Sequence, residues 1–196
     1  MSVIEKYYPK IAFYGVSGSG KDYCVKALQN YFESSHKESY IRLSFSDQLK
    51  KCGNRIFGDW LKLDYSPEEK EQPLNIATSL GEVIEKSPRE IWLLLNQLRR
   101  IEDKLFIRML DQEIKDLELQ GKEMFLISDI RTEKELKYCK ENGFKVIKIM
   151  SSKPFHPSND FDKQQEMFLP ETDFIFLNQK DNFNLKLLLS MIKEEK

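Results

Sequence analysis

The first apolar run, IAFYG (11–15), ends in glycine and predicts a buried strand. In the following GSGKDYCVKALQNYFESS, Cys24, Ala27, Leu28, Tyr31 and Phe32 recur at helical spacing, which predicts a helix over about 20–34. SYIRLSF (39–45) predicts a second strand. SDQLKKCGNRIFG then predicts a helix with Ser46 or Asp47 as N-cap and a stop near Gly58. Residues 59–87 hold DYSPEEKEQPLN and keep no period, as expected of an insertion lying over a core. From 87 to 121, Ile91, Leu94, Leu95, Leu98, Ile101, Leu105, Met109 and Leu117 form an apolar stripe. Pro88 suits its first turn and Gly121 its stop, and the pattern fits one helix or two. EMFLISD (123–129) is a near-continuous apolar run closed by Asp, the mark of a strand buried on both faces. A helix over 132–142, a strand FKVIKIM (144–150), a polar segment (151–172), a strand DFIFLN (173–178) and a closing helix from Phe183 complete the chain.

Strands alternating with helices predict an α/β fold with three layers, α/β/α, around a five-stranded parallel sheet joined by right-handed crossovers. In such sheets ligands bind beyond the carboxyl ends of the strands. That places 15–22, 44–51, 129–131, 151–172 and 178–181 around one cleft.

Composition narrows the classes. A chain of 196 residues suits one domain, with a core over 11–58 and 121–196 and an insertion over about 59–120. Lys plus Arg is 31 and Asp plus Glu 32, so the basic excess of a nucleic-acid binder is missing. The three cysteines have no metal or disulfide spacing and read as reduced thiols. The N-terminal MSVIEKYYPK has no apolar core of a signal peptide, and no apolar run approaches the roughly 20 residues of a membrane span. The expectation is a cytoplasmic protein (in the host cytoplasm if the chain is viral), with no membrane and no nucleic acid among its partners. A homodimer is compatible with it.

The chemistry begins at GVSGSGKD (15–22). A G-x-x-x-x-G-K pattern carries weight only between a strand and a helix, and here it has both. Gly15, Gly18 and Gly20 let the backbone, with Val16, Ser17 and Ser19 between them, turn its N–H groups inward as an anion nest. The helix N-terminus adds partial positive charge, and Lys21 supplies a point charge to outer phosphates. Asp22 stands where the usual loop has Ser or Thr. Its carboxylate can ligate Mg²⁺, activate a phosphate acceptor as a base, or cap the helix. Asp129 closes its strand as an acid facing a metal would. Arg131 lies two residues on, where a guanidinium can bridge donor and acceptor phosphates. NQKD (178–181) has the letters of a guanine-reading N-K-x-D, but with Lys one place late. DIRT (129–132) is no D-x-x-G, so a GTPase reading is rejected.

Five stretches, SGSGKD, FSDQLKK, EEKEQPLN, LISDIRTEKE and EMFLPETDFIFLN, together resemble the phage-type deoxynucleoside monophosphate kinases, a branch of the P-loop NMP kinases, over about 11–191. The resemblance implies a P-loop NTPase fold with an NMP-binding insertion and a lid at 151–172. It implies ATP, Mg²⁺ and a (deoxy)nucleoside monophosphate (dNMP) acceptor, with in-line transfer of the γ-phosphoryl group to the 5′-phosphate. It gives Gly15 to Asp22 and Asn178 to ATP, and Asp22 and Asp129 to the metal. Lys21, Asp22 and Arg131 are its catalytic set, and Lys50, Lys70, Arg89, Arg100, Asp103 and Glu166 its acceptor-side set. The chain departs from the family in lacking Gln-x-x-Gly-Thr after Pro88-Arg89, and its 151–172 segment contains no Arg. Asn96, Arg100 and Asp103 fall on one face of an α-helix and either replace those contacts or form a solvated polar face. Animal-type phosphomevalonate kinases are similar in SGKD and SD-x-R, and dephospho-coenzyme A kinases in architecture. A kinase of another small phosphorylated acceptor, or a nucleotide-binding regulator without transfer activity, are the alternatives.

Overall fold

The structure, a computed structural model, describes residues 6–35, 39–58, 61–66, 68–77, 81, 83–151, 163, 165–179 and 182–194. Two compact units divide it, one of residues 1–44 and 112–196, the other of 45–111.

The first unit holds the expected α/β sheet. Its strands are β1 (Lys10–Tyr14), β2 (Ile41–Leu43), β5 (Phe125–Ile130), β6 (Lys145–Ser151) and β7 (Phe174–Asn178), in the order β2-β5-β1-β6-β7. Every pairing is parallel. All six residues of β5 are buried, as its unbroken apolar run predicts. Helix α1 (Lys21–Ser35) and the closing helix α6 (Leu185–Met191) cover one face. There Ile11, Phe13, Ile147, Ile149 and Phe176 of the sheet pack with Val25, Leu28, Phe32 and Leu188. Helix α5 (Glu133–Glu141) supplies buried Leu136 and Cys139 beneath a capping box, in which Thr132 and Glu135 satisfy each other's backbone N–H groups. Among the described residues no helix is long and apolar enough to cross a membrane.

One irregularity bears on the site. Ala12 pairs with Ile127, but Tyr14 pairs with Ile130. Two steps along β1 therefore face three along β5, and the extra residue falls at Ser128–Asp129. A bulge re-aims the side chains around it, and here it does so at the strand's carboxyl end.

The second unit contains helix α2 (Phe45–Phe57), a two-stranded antiparallel hairpin of β3 (Ile76–Ala77) and β4 (Val83–Ile84), helix α3 (Pro88–Leu95) and the start of α4 (Leu105–Leu119). The hairpin lies in the stretch expected to be irregular. Another expectation is corrected, and an open one is settled. Helix α2 begins at Phe45, so Ser46 and Asp47 sit in its first turn and do not cap it; Ser44 and Phe45 are both buried, which suits a helix start better than an alternating strand. The long pattern over 87–121 is two α-helices. A capping box of Ser87 and Glu90, with Pro88 at the first position, opens α3, and a 3₁₀ stretch over Asn96–Arg100 separates it from α4. The break resets the helical phase, so Leu94 and Ile101 of the expected stripe are exposed while Phe106, Ile107, Leu110 and Ile114 are buried.

Phe32 anchors the α1 face, with its ring centroid 4.9 Å from Tyr7 and 4.9 Å from Tyr40 in edge-on contact. Truncating it removes dispersion contacts on several sides and leaves a cavity. Phe32→Ala is expected to lower unfolding stability by about 3–5 kcal/mol, measured by chemical denaturation.

Candidate active site

Strand β1 is the middle of the sheet, and residues 15–20 leave its carboxyl end and enter α1. The loop is packed from two sides. A Cβ on Gly15 would strike the Ile149 carbonyl of β6, and a Cβ on Gly20 would strike Asn178 Nδ2. Gly20 has φ +89°, a conformation that also disfavours any side chain. Ser19 is fully buried and its N–H donates to Val16 O at 3.1 Å, which closes the turn. Among the described residues, the Gly18 and Gly20 N–H groups donate to nothing. Lys21 Nζ donates to Gly15 O at 2.6 Å and Val16 O at 2.9 Å, so the ammonium sits against the loop backbone. Unpaired N–H donors beside a cation fit a polyanion.

Asp22 is exposed in the first turn of α1, and Asp129 is 6% exposed beside the bulge near the end of β5. Among the described residues no group of three or more His, Cys, Asp or Glu side chains could hold a metal. Two carboxylates are too few for an all-protein cage. Arg131 is exposed, and its backbone is fixed by the fully buried Glu135, whose Oε2 accepts from Arg131 N at 2.8 Å and Thr132 N at 3.0 Å. The T-x-x-E spacing announces that cap in the sequence.

Sequence reasoning missed three things here. Asn178 reaches back to the loop, with its Nδ2 donating to Ser19 O at 3.0 Å. Lys148, one of two lysines in the strand KVIKIM, is only 4% exposed and lies 5.9 Å from the centre of the Tyr14 ring. Tyr14, the residue before the loop, hydrogen-bonds Thr172 at 2.5 Å and packs edge-on against Phe168, which ties the end of the 165–172 segment to β1. Contacts across about 150 residues leave no local pattern to read.

The acceptor-side residues lie mostly in the second unit. Lys50 pairs with Asp47 at 3.2 Å and stands 5.5 Å from the centre of the Trp92 ring. Arg89 is exposed and pairs with Glu71 at 2.7 Å; Lys70, half-buried, belongs to the same short 3₁₀ turn as Glu71. The expected shared face of Asn96, Arg100 and Asp103 does not form. In a 3₁₀ stretch residues three apart eclipse, so Asn96 and Arg100 diverge, and Asn96 instead accepts from Arg99 Nε at 2.9 Å. Arg100 and Asp103 are exposed. The Glu166 side chain, and residues 152–162 and 164 of the expected lid, lie outside the described residues, as do Lys180 and Asp181.

No family model and no curated protein matches the chain. A solved structure described as a "putative kinase" from Chloroflexus aurantiacus J-10-fl is similar over 94% of this chain and 93% of its own, at 10% identity and a TM-score of 0.43. A likeness at that level carries no weight for activity or substrate.

Two thiols flank these elements. Burial pushes Cys24, on α1, up to about 12, against its backbone hydrogen bond and the nearby Lys21 charge. Cys139 on α5 is also raised, by burial first and then by the Glu135 and Asp129 carboxylates. Both stay protonated where an ordinary thiol begins to ionise, near 9.0. At pH 8 a disulfide reagent is therefore expected to label half-buried Cys52 in the native protein, and Cys24 and Cys139 only after unfolding, as counted by mass spectrometry. Because folding raises both values, the associated stability is full below pH 9 and falls as pH rises toward 12.

Proposed function

We propose that this protein is an ATP-dependent kinase that transfers the γ-phosphoryl group of ATP to the 5′-phosphate of a (deoxy)nucleoside monophosphate. One observation carries the reading: a loop G-V-S-G-S-G-K between the central strand and α1, with Gly18 and Gly20 N–H groups that have no acceptor among the described residues and the Lys21 ammonium against its backbone. Those groups serve the donor's phosphates. Arg131, held at its backbone by Glu135, offsets charge on the transferring group. Asp22 and Asp129 would hold Mg²⁺, which when bound neutralises charge on the phosphates; Asp22 acting as acceptor base is the other role its exposed position allows. In this chemistry the protein chiefly positions groups and balances charge. On the acceptor side the reading uses Lys50, Lys70 and Arg89.

A second reading, a kinase of another small phosphorylated acceptor, draws on a specific observation. Arg89 is engaged by Glu71, and Asn96 and Arg100 diverge on a 3₁₀ stretch, which gives the nucleoside contacts expected over 89–103 less support than the loop has.

A coupled assay of ATP consumption separates them, run against dAMP, dGMP, dTMP, dCMP, hydroxymethyl-dCMP and phosphomevalonate. Turnover with a deoxynucleotide supports the first reading; turnover with phosphomevalonate alone supports the second; silence with all six refutes the first. Lys21→Ala is expected to lower kcat by at least ~100-fold with an unchanged melting profile. Asp22→Ser is expected to keep part of its Mg²⁺-dependent turnover if Asp22 is a metal ligand, and to lose it if Asp22 is the base.

A further inference from the structure

A side chain from the edge of the sheet holds one peptide of the loop. Asn178 is the last residue of β7, and its Nδ2 donates to Ser19 O at 3.0 Å across 159 residues of sequence. Both ends of this bond are buried, Ser19 fully and Asn178 to 2% exposure. The amide's orientation follows from its partner: a carbonyl oxygen faces it, so the nitrogen must point there. The chain contains no cis peptide bond among its described residues. In a trans peptide the C=O and the next N–H point to opposite sides. Holding the Ser19 carbonyl toward β7 therefore turns the Gly20 N–H away from β7, and that N–H has no acceptor among the described residues.

Stability alone is a poor account of the asparagine. Its nitrogen satisfies the buried Ser19 carbonyl, but its Oδ1 is buried with no hydrogen-bond partner among the described residues, which costs free energy. Its nitrogen also stands where a Cβ on residue 20 would go, so any side chain at 20 would displace it from this position. What the asparagine supplies in return is one fixed peptide plane at the mouth of α1.

We propose that Asn178 is a positioning residue for phosphate binding: by holding the Ser19 carbonyl it fixes the Ser19–Gly20 peptide and keeps the Gly20 N–H aimed as an anion donor. The proposal rests on reading the loop as a phosphate site. It differs from assigning Asn178 a direct contact with the nucleotide, because the side chain acts here through the backbone. Without it the peptide is free to rotate, and a rotated peptide would present the Ser19 carbonyl, a negative dipole end, to the anion.

The test uses the full chain labelled with ¹⁵N and titrated with inorganic triphosphate, with no nucleotide and no metal. In the wild type the Gly18 and Gly20 amide resonances are expected to shift downfield together on binding. In Asn178→Ala and Asn178→Leu the affinity is expected to fall by about 10-fold or more, and the Gly20 shift to disappear while the Gly18 shift remains. Asn178→Leu keeps close to the volume and removes the donor without adding a charge that would itself repel the anion, so it stands if the alanine variant does not fold. Wild-type affinity and an unchanged Gly20 shift in a folded variant overturn the positioning role, even if that variant is less stable. Absence of triphosphate binding by the wild type overturns the phosphate reading and the positioning role with it.

Discussion

The loop between Tyr14 and Lys21 has to turn its N–H groups inward while lying against two other strands, and the chemistry proposed for the molecule depends on that close approach. Gly15 touches the backbone of β6 at Ile149, and Gly20 touches the end of β7 at Asn178. Neither contact is possible unless β6 stands beside β1 with β7 next to it, in the register that pairs Tyr14 with Lys148 and Ser151 with Asn178. The sheet order is thus part of the site. The α1-side core of Ile11, Phe13, Ile147, Ile149 and Phe176 keeps those three strands together and so keeps the loop's shape. Each of these side chains contributes roughly 1.5–3 kcal/mol by its removal from water.

Much of this is legible in the chain. The central strands β1, β5 and β6 announce themselves as apolar runs bounded by Gly, Asp or polar segments, and α1 by its helical spacing, because burial on both faces leaves few other patterns. The loop proposed to bind phosphate is legible because its demands are local: glycines where the backbone has positive φ, and a lysine directly after them. The cap that fixes Arg131 is legible for the same reason, since Thr132 and Glu135 are three residues apart.

What the sequence hides is set by tertiary contacts. The start of α2 at Phe45 and the break after Leu95 turn on which face each side chain can bury, and a period alone does not say. The bulge at Ser128–Asp129 exists only relative to β1. Nothing in the strand FKVIKIM marks Lys148 as buried, yet it is 4% exposed, with Tyr14 close by. Asn178 is placed with ATP by the resemblance, but its bond to Ser19 depends on a partner 159 residues away. The acceptor side was the least legible. Its expected face over 96–103 assumes α-helical geometry that the 3₁₀ stretch does not supply.

The central claim is that the loop's affinity is for phosphate and not for a base or sugar. Calorimetric titration of the wild-type chain with ATP and, separately, with adenosine tests it most directly. The account predicts that ATP binds and that adenosine binds at least ~100-fold more weakly, since the donors identified at 15–21 are N–H groups and an ammonium that find no anionic partner on a nucleoside. Equal affinity for the two, or binding of adenosine alone, would contradict it.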